Sequence, residues 1–329
     1  MKPNTRTWII SGIIFSLAVM FTVFCGLGIA NMSKKETTAP ETSSEAPQSS
    51  DEIPQSSSEL PPISTKESPS VIPSTDENKS SGRIRQLTEA ELKVIEDKFL
   101  DIPQFYDISG PRDTENRSQS AVEYHGTFSL KYKQVYVFNP QTRSDVSLCF
   151  ILSEEYGYTE KVLDILKENN VRATFFTDWA YAENNPEIIE RIRLEKHELG
   201  SLGASNPEPG IGLFGASDVM NDLWNLHKHI EQLYNYTMTK LYFNHDAYKD
   251  RTVILATQMG YEIIFYSAYY EDDDPKKHID TAAFLQSLEE QAHKGVIYRL
   301  HTVNAATPQI LSDFLTYLKE NGFNVGLIN

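Results

Sequence analysis

The strongest constraint on the fold is a regular alternation of apolar and amphipathic segments that begins at residue 146. The apolar run VSLCFIL (146–152) has the length of a buried strand. It is followed by YTEKVLDILKENN (158–170), where apolar residues recur at helical spacing. Repetition of this pair to the C-terminus predicts about seven strands and six helices. Such alternation forms right-handed β-α-β units, so we predict an α/β fold with a parallel sheet.

Seven units in a domain at 142–329 favour a closed or nearly closed barrel over a flat sheet. The strands predicted after the first are 171–177, 198–202, 240–244, 261–268, 296–302 and 323–328. The helices predicted after the first are 185–197, 216–235, 249–260, 281–295 and 307–322. In such barrels the reactive groups lie where strands end and loops begin.

An uncharged apolar run of 23 residues at 8–30 has the length of a membrane-spanning helix. Lys2 and Arg6 precede it, as the positive-inside rule expects for a cytoplasmic N-terminus. We predict a transmembrane anchor in residues 1–30. A cleaved secretory signal, with Ala30 near the cleavage site, is the alternative. Both place the remaining chain outside the cytoplasm, either on a single-pass membrane protein or secreted.

Two segments separate this run from the barrel domain. Residues 31–82 are rich in Ser, Thr, Pro and Glu with few large apolar residues, which predicts a disordered linker. Residues 83–141 form a lead-in, with a helix at 87–100 and a hairpin arm or edge strands at 127–139. The sequence leaves open whether this lead-in is a separate small domain or a lid on the barrel.

The charge argues against one class of protein, and the cysteine positions argue against a disulfide. The net charge of −16 and the pI of 5.0 argue against nucleic-acid binding as the main activity, because nucleic-acid binders present basic faces. The two cysteines are Cys25, in the apolar run, and Cys149, in a predicted strand. These positions do not form a plausible disulfide pair, so we expect none.

The stretch YGYTEKVLDILKENNVRATFFTDWAYAENNPEIIERIRLEKHELG (156–200) resembles the polysaccharide deacetylase family, also known as NodB-homology or carbohydrate esterase family 4. It is most similar to the muramic-acid deacetylase branch, and the resemblance extends over about 146–328. This resemblance implies a distorted β/α barrel and metal-assisted removal of an N-acetyl group from an amino sugar. It also implies a divalent metal, usually zinc, held by one Asp and two His, which acidifies a bound water. A second Asp acts as base, and a His on a late strand protonates the leaving amine.

Most of the residues that this resemblance assigns to catalysis are replaced. This chain has Ile151 at the base position, Leu152, Leu202 and Asn206 at the metal-ligand positions, Tyr242 at the third-motif arginine, Tyr269 where many members have aspartate, and His301 at the acid. Aliphatic side chains offer a metal no lone pair and exchange no proton. We therefore expect the zinc cofactor and the family reaction to be lost, and the apolar residues to fill the pocket.

Several polar and aromatic side chains remain at the functional end. His301 is a relic of the acid, and His245 and Asp246 follow the fourth strand at the same end. A rebuilt metal or acid/base site from these three is the alternative. For sugar or protein contact the candidates are Trp179, Tyr181 and Tyr269, together with His245 and Asp246.

The acidic run at 271–274 lacks the spaced ligands of a calcium loop, so we interpret it as a solvated loop.

The predicted function is that of a membrane-tethered, extracytoplasmic pseudoenzyme that binds a cell-wall glycan or a protein partner without turnover. Two alternatives stay open. One is an active hydrolase that deacetylates N-acetylated cell-wall amino sugars through a rebuilt site. The other is a purely structural partner in an envelope or sporulation assembly.

Overall fold

The computed structural model describes residues 84–129, 132, 134–140 and 146–328. The predicted anchor and linker lie outside these residues. No helix in the described ranges combines the length and the apolar character that crossing a membrane requires.

Ten strands are present in the described ranges. In chain order they are β1 (Pro103–Phe105), β2 (Val135–Tyr136), β3 (Val146–Ile151), β4 (Thr174–Thr177), β5 (Glu198–Ser201), β6 (Lys240–Leu241), β7 (Ala247–Lys249), β8 (Glu262–Ile264), β9 (Ala268–Tyr269) and β10 (Val296–His301). Eight of them form one sheet in the order β2-β8-β6-β5-β4-β3-β10-β9. Every neighbouring pair in it is parallel, as predicted. The other two strands, β1 and β7, form an antiparallel pair.

The sheet is curled into a half-barrel. In a flat sheet β8 and β10, five positions apart in the strand order, would lie about 24 Å from each other. Instead Ile264 on β8 and Ile297 on β10 line the same small cavity. Within the described residues, however, β2 and β9 do not pair with each other, so hydrogen bonds do not close the barrel. The half-barrel replaces the closed or nearly closed barrel that the sequence predicted.

Nine α-helices are described, and most coincide with the predicted ones. They are α1 (Glu89–Lys98), α2 (Gln119–Tyr124), α3 (Thr159–Glu168), α4 (Trp179–Asn184), α5 (Pro186–Leu194), α6 (Ala216–Tyr234), α7 (Asp250–Met259), α8 (Thr281–Glu290) and α9 (Ala306–Glu320). The start of α1 has the capping box that its sequence indicates: Thr88 accepts from the Glu91 N–H, and the Glu91 carboxylate accepts from the Thr88 N–H. Left-handed residues end two helices, Asn235 after α6 and Gly260 after α7.

Two predicted strands differ from the structure. The run at 261–268 forms β8 and β9, because the chain leaves one part of the sheet after Ile264 and joins β10 from Ala268. The segment at 323–328 makes only a single parallel bridge, Val325 with Val146, and is not a strand. The run at 127–139 contributes β2, which lies at the sheet edge beside β8.

The lead-in packs into the same core as the sheet. Ile95 of α1 and Phe128 belong to the hydrophobic cluster that also contains Ile151 and Ile263 of the sheet. A second cluster, on the opposite side of β3, joins Leu148 and the other alternate residues of that strand to helices that include α3 and α9. The described lead-in residues are therefore built into the wall of the half-barrel.

Candidate functional site

The carboxyl ends of β3, β4 and β10 meet at one edge of the sheet. Ile151 at the end of β3 lies in register with Phe176 of β4 and with His301 of β10. The concave interior below them is closely packed. A cavity of about 10 Å³ there is lined by side chains that include Ile151, Phe176, Tyr242 and Arg299. That volume has room for about one water molecule.

The apolar residues at the family base and metal-ligand positions do not all face this interior. Ile151 and Leu202 are 2% and 0% exposed and belong to the cluster that extends into the concave face. Leu152 is also fully buried, but it packs in the cluster between the sheet and the helices. Successive residues at the end of a strand point to opposite faces, which separates Leu152 from Ile151. Ile151 therefore lines the remaining cavity, whereas Leu152 packs on the other face of the sheet.

Asp246 is held in a network of tyrosines and an arginine. Arg299 donates from Nη1 to Asp246 Oδ2 at 2.7 Å, and Tyr266 donates to the same oxygen at 2.8 Å. Tyr242 donates to Asp246 Oδ1 at 2.7 Å. Burial, and then the Asp246 charge, raises the pKa of Tyr242 well above its usual value. The carboxylate of Asp246 is thus engaged by three donors, so it does not act as a free base.

His301 is held by a carboxylate that the sequence analysis assigned to a solvated loop. Asp272 is 0% exposed, which corrects that interpretation. It accepts the His301 backbone N–H at 2.9 Å and lies 2.8 Å from His301 Nδ1. Thr307 donates to the same carboxylate at 3.0 Å. The acid position of the family therefore keeps an imidazole oriented by a buried aspartate, with Nε2 directed away from it.

His245 lies apart from this pair. Its backbone is left-handed, with φ 59°, and its Nε2 is 3.1 Å from Asn206 Oδ1. Asn206 also accepts from Asn244, so the amide at the second metal-histidine position ties two loops together. His245, Asp246 and His301 thus have three different sets of partners, and the rebuilt site of these three is not assembled.

The donor set does not fit the family zinc. Within the part of the chain that the structure describes, no three His, Cys, Asp or Glu side chains gather into a group that could hold a metal. Cys149 is the one thiol in that part, and burial raises its pKa far above the usual value, which keeps it protonated.

The three aromatic candidates lie in different environments. Trp179 is 37% exposed, and its ring stacks on the imidazole of His229 at a centroid distance of 3.9 Å. Tyr181 is 2% exposed and donates to Glu155 at 2.6 Å, so its ring lies inside the fold and not on the surface. The sequence analysis missed α4, whose turn points Tyr181 inward. Tyr269 is half-buried, and its ring centroid is 4.9 Å from Arg299 Cζ.

Two residues of the site were missed, and one of them had a visible signal. Arg299 is a charged side chain between Tyr298 and Leu300 in the strand run VIYRLHT, which indicates a buried partner. Asp272 carries no such signal, because nothing distinguishes it from its acidic neighbours along the chain.

The polysaccharide deacetylase family model matches residues 139–264. The peptidoglycan-N-acetylmuramic acid deacetylase PdaA of Bacillus subtilis is 27% identical over 217 residues, 65% of this chain and 78% of PdaA. The solved structure of the same B. subtilis protein, a family 4 carbohydrate esterase, has a TM-score of 0.63 at 22% identity and covers 69% of this chain and 95% of that one.

A further structural neighbour is a carbohydrate esterase family 4 pseudoenzyme from Bacillus anthracis. Its TM-score is 0.54 at 19% identity, and the alignment covers 74% of this chain and 93% of that one. At this identity the likeness concerns the fold alone. The family model and the sequence relatives identify a polysaccharide deacetylase domain in this chain, and its fold is that of solved carbohydrate esterase family 4 structures.

Proposed function

We propose that this protein is a catalytically inactive polysaccharide deacetylase that binds cell-wall glycan outside the cytoplasm. In this proposal the apolar run at 8–30 anchors it in the membrane, and the segment at 31–82 acts as a tether. The domain recognises the glycan and leaves its N-acetyl groups in place.

One observation carries the proposal. The family scaffold is retained, whereas its metal and base positions hold Ile151, Leu152, Leu202 and Asn206. Ile151 lines the small cavity of the packed interior, and Leu202 is buried in the cluster that extends into it. Activation of water near neutral pH depends on such a metal, and the described residues supply no alternative group of ligands.

Glycan recognition is supported by the relatives and by one side chain. PdaA of B. subtilis is named as a deacetylase of peptidoglycan. Trp179 presents an exposed ring just after β4, at the edge of the sheet where His301 lies. Stacking on His229 fixes this ring, so a sugar that contacts it meets a preorganised surface.

The experiment is sedimentation of the full chain with purified peptidoglycan sacculi. We expect the wild-type protein to pellet with the sacculi, and Trp179→Ala to reduce the bound fraction at least about fivefold, equivalent to about 1 kcal/mol. Leu194→Ala is the matched control: Leu194 is 63% exposed at the end of α5, where the chain returns to the opposite edge of the sheet. A wild-type chain that stays in solution would contradict the proposal.

Metal content, measured on the same preparation, gives a second readout. We expect far less than one zinc per chain after dialysis against zinc at micromolar concentration. Zinc near one per chain would contradict the inactive assignment.

A further inference from the structure

A polar cleft lies between the lead-in and the edge of the sheet at β9. Its volume is about 450 Å³, within the range of small-molecule sites. One wall is the lead-in loop at 108–112, and the other is formed by Tyr269, Tyr270 and the C-terminal half of α8. The loop precedes residues 139–264, which the family model matches.

The lead-in wall is held firmly in place. Asn116 donates from Nδ2 to the carbonyl oxygens of Glu290 at 2.8 Å and Ala292 at 3.0 Å, which ties the loop to the end of α8. Arg112 forms an antiparallel bridge with Ser118 and donates from Nη1 to the Asn116 carbonyl at 2.8 Å. The guanidinium is therefore positioned before any ligand arrives.

Arg112 differs from the other charged side chains of the cleft. Lys277 pairs with Glu271 at 3.1 Å, and Glu290 accepts from Gln286 at 2.8 Å. Arg112 is half-buried and has no carboxylate within ion-pair distance among the described residues. Burial lowers its pKa, and the nearby Glu290 charge offsets this only in part.

A guanidinium in this setting matches one chemical group particularly well. Its planar N–H donors form paired hydrogen bonds with a carboxylate, and partial burial strengthens such bonds. Next to it the cleft has two tyrosine rings, of which Tyr270 is fixed by stacking on Phe284 at 4.1 Å. Rings supply apolar area for a pyranose, and the serines of the cleft supply hydroxyls.

We propose that this cleft binds a sugar residue that carries a carboxylate, with Arg112 as the side chain that recognises the anion. The inference rests on the proposed function, because it specifies which part of a cell-wall glycan the protein recognises. The carboxylate could be that of a lactyl ether or that of a uronic acid. Both present the same group to Arg112.

The test compares matched sugars by saturation-transfer NMR titration with the full chain. One arm pairs N-acetylmuramic acid with N-acetylglucosamine, and the other pairs methyl glucuronide with methyl glucoside. In at least one arm we expect the acidic sugar to bind about tenfold tighter than its neutral partner, the value of one charge-assisted pair. Equal affinities in both arms would overturn the proposal.

Three variants locate the effect. Arg112→Gln should abolish the preference for the acidic sugar, whereas Arg85→Gln should keep it, since Arg85 is an exposed arginine paired with Glu91. Glu290→Gln should raise affinity for the acidic sugar, because it removes a negative charge that lies near Arg112. A preference that survives Arg112→Gln would contradict the proposal, as would an unchanged or lower affinity in Glu290→Gln. The latter variant also provides the test if Arg112→Gln fails to fold.

Failure here is separable from failure of the proposed function. If sacculus binding depends on Trp179 but not on Arg112, only the proposal that the cleft binds an acidic sugar is rejected. No sacculus binding by the wild-type chain would remove the proposed function itself.

Discussion

In the parallel pairing of β10 with β3, His301 lies directly beside Ile151. The first residue keeps the imidazole of the family acid, oriented by Asp272, and the second replaces the family base with an aliphatic side chain. An acid position without its base, next to a packed interior, is the structural relationship on which the proposal of an inactive domain rests.

Restoring a carboxylate at Ile151 tests how completely the interior is filled. We expect Ile151→Asp to lower the free energy of unfolding by about 3 kcal/mol, because it buries a charge among apolar side chains. Arg299, the nearby cation, already pairs with Asp246. Ile151→Val, which keeps the site apolar, should cost only about 1 kcal/mol. Urea denaturation gives both values. An aspartate variant as stable as wild type would show that the interior still accommodates a charge.

The pair of Asp246 with Arg299 should act as one structural unit. We expect Asp246→Asn to cost about 3 kcal/mol, because it leaves a buried guanidinium without its counter-charge. Removing both charges in Asp246→Asn/Arg299→Met should cost less than the single change. This double-mutant cycle, measured by chemical denaturation, gives the coupling free energy between Asp246 and Arg299 directly. Additive effects of the two changes would be inconsistent with a buried pair.

A second group of buried charged side chains lies at the opposite end of the half-barrel, where β5, β6 and β8 begin. Lys240, at the start of β6, donates to Glu198 at 2.9 Å and to Glu262 at 3.1 Å. Lys240→Met should destabilise the protein by about 3 to 5 kcal/mol, since two carboxylates lose their cation. Lys167 makes a comparable contact with Glu195, but its side chain is 68% exposed, so Lys167→Met should cost less than about 1 kcal/mol. Similar losses in the two variants would argue against burial as the cause.

Stability should also depend on pH through His197. Its Nδ1 accepts the Ala173 N–H at 3.2 Å, which requires the neutral ring, and burial lowers its pKa to about 4. An unfolded histidine titrates near pH 6.5, so between about pH 6.5 and 4 only the unfolded state takes up the proton. The free energy of unfolding should therefore fall as the pH falls through this window, by up to about 3 kcal/mol.

His197→Asn isolates this contribution, because the Asn oxygen keeps the acceptor and does not titrate. The difference in unfolding free energy between wild type and variant, measured from pH 7.5 to 4, should shrink as the pH falls. A constant difference would mean that His197 does not carry this pH dependence.

Local patterns in the sequence predicted much of the scaffold. The run at 146–151, apolar except for Ser147, is fully buried as β3, and the Thr88 capping box starts α1 where expected. These features depend on nearest-neighbour chemistry, so they can be read along the chain. The parallel order of the sheet followed from the alternation of strands and helices.

The features that the sequence analysis missed depend on contacts between residues far apart in the chain. Asp272 reaches His301 across 29 positions, and Arg299 reaches Asp246 across 53. The division of 261–268 into β8 and β9 depends on the curl of the sheet, which no local pattern encodes. The inward orientation of Tyr181 depends on α4, a helix of six residues that is too short for periodicity to reveal.

Acetate release from N-acetylated peptidoglycan tests the central claim most directly. The full chain would be incubated with sacculi in buffer containing zinc, with PdaA of B. subtilis as the positive control. We predict acetate at the level of the enzyme-free blank for this protein, while PdaA releases it under the same conditions. Sustained release above that blank, abolished by His301→Ala, would contradict the account.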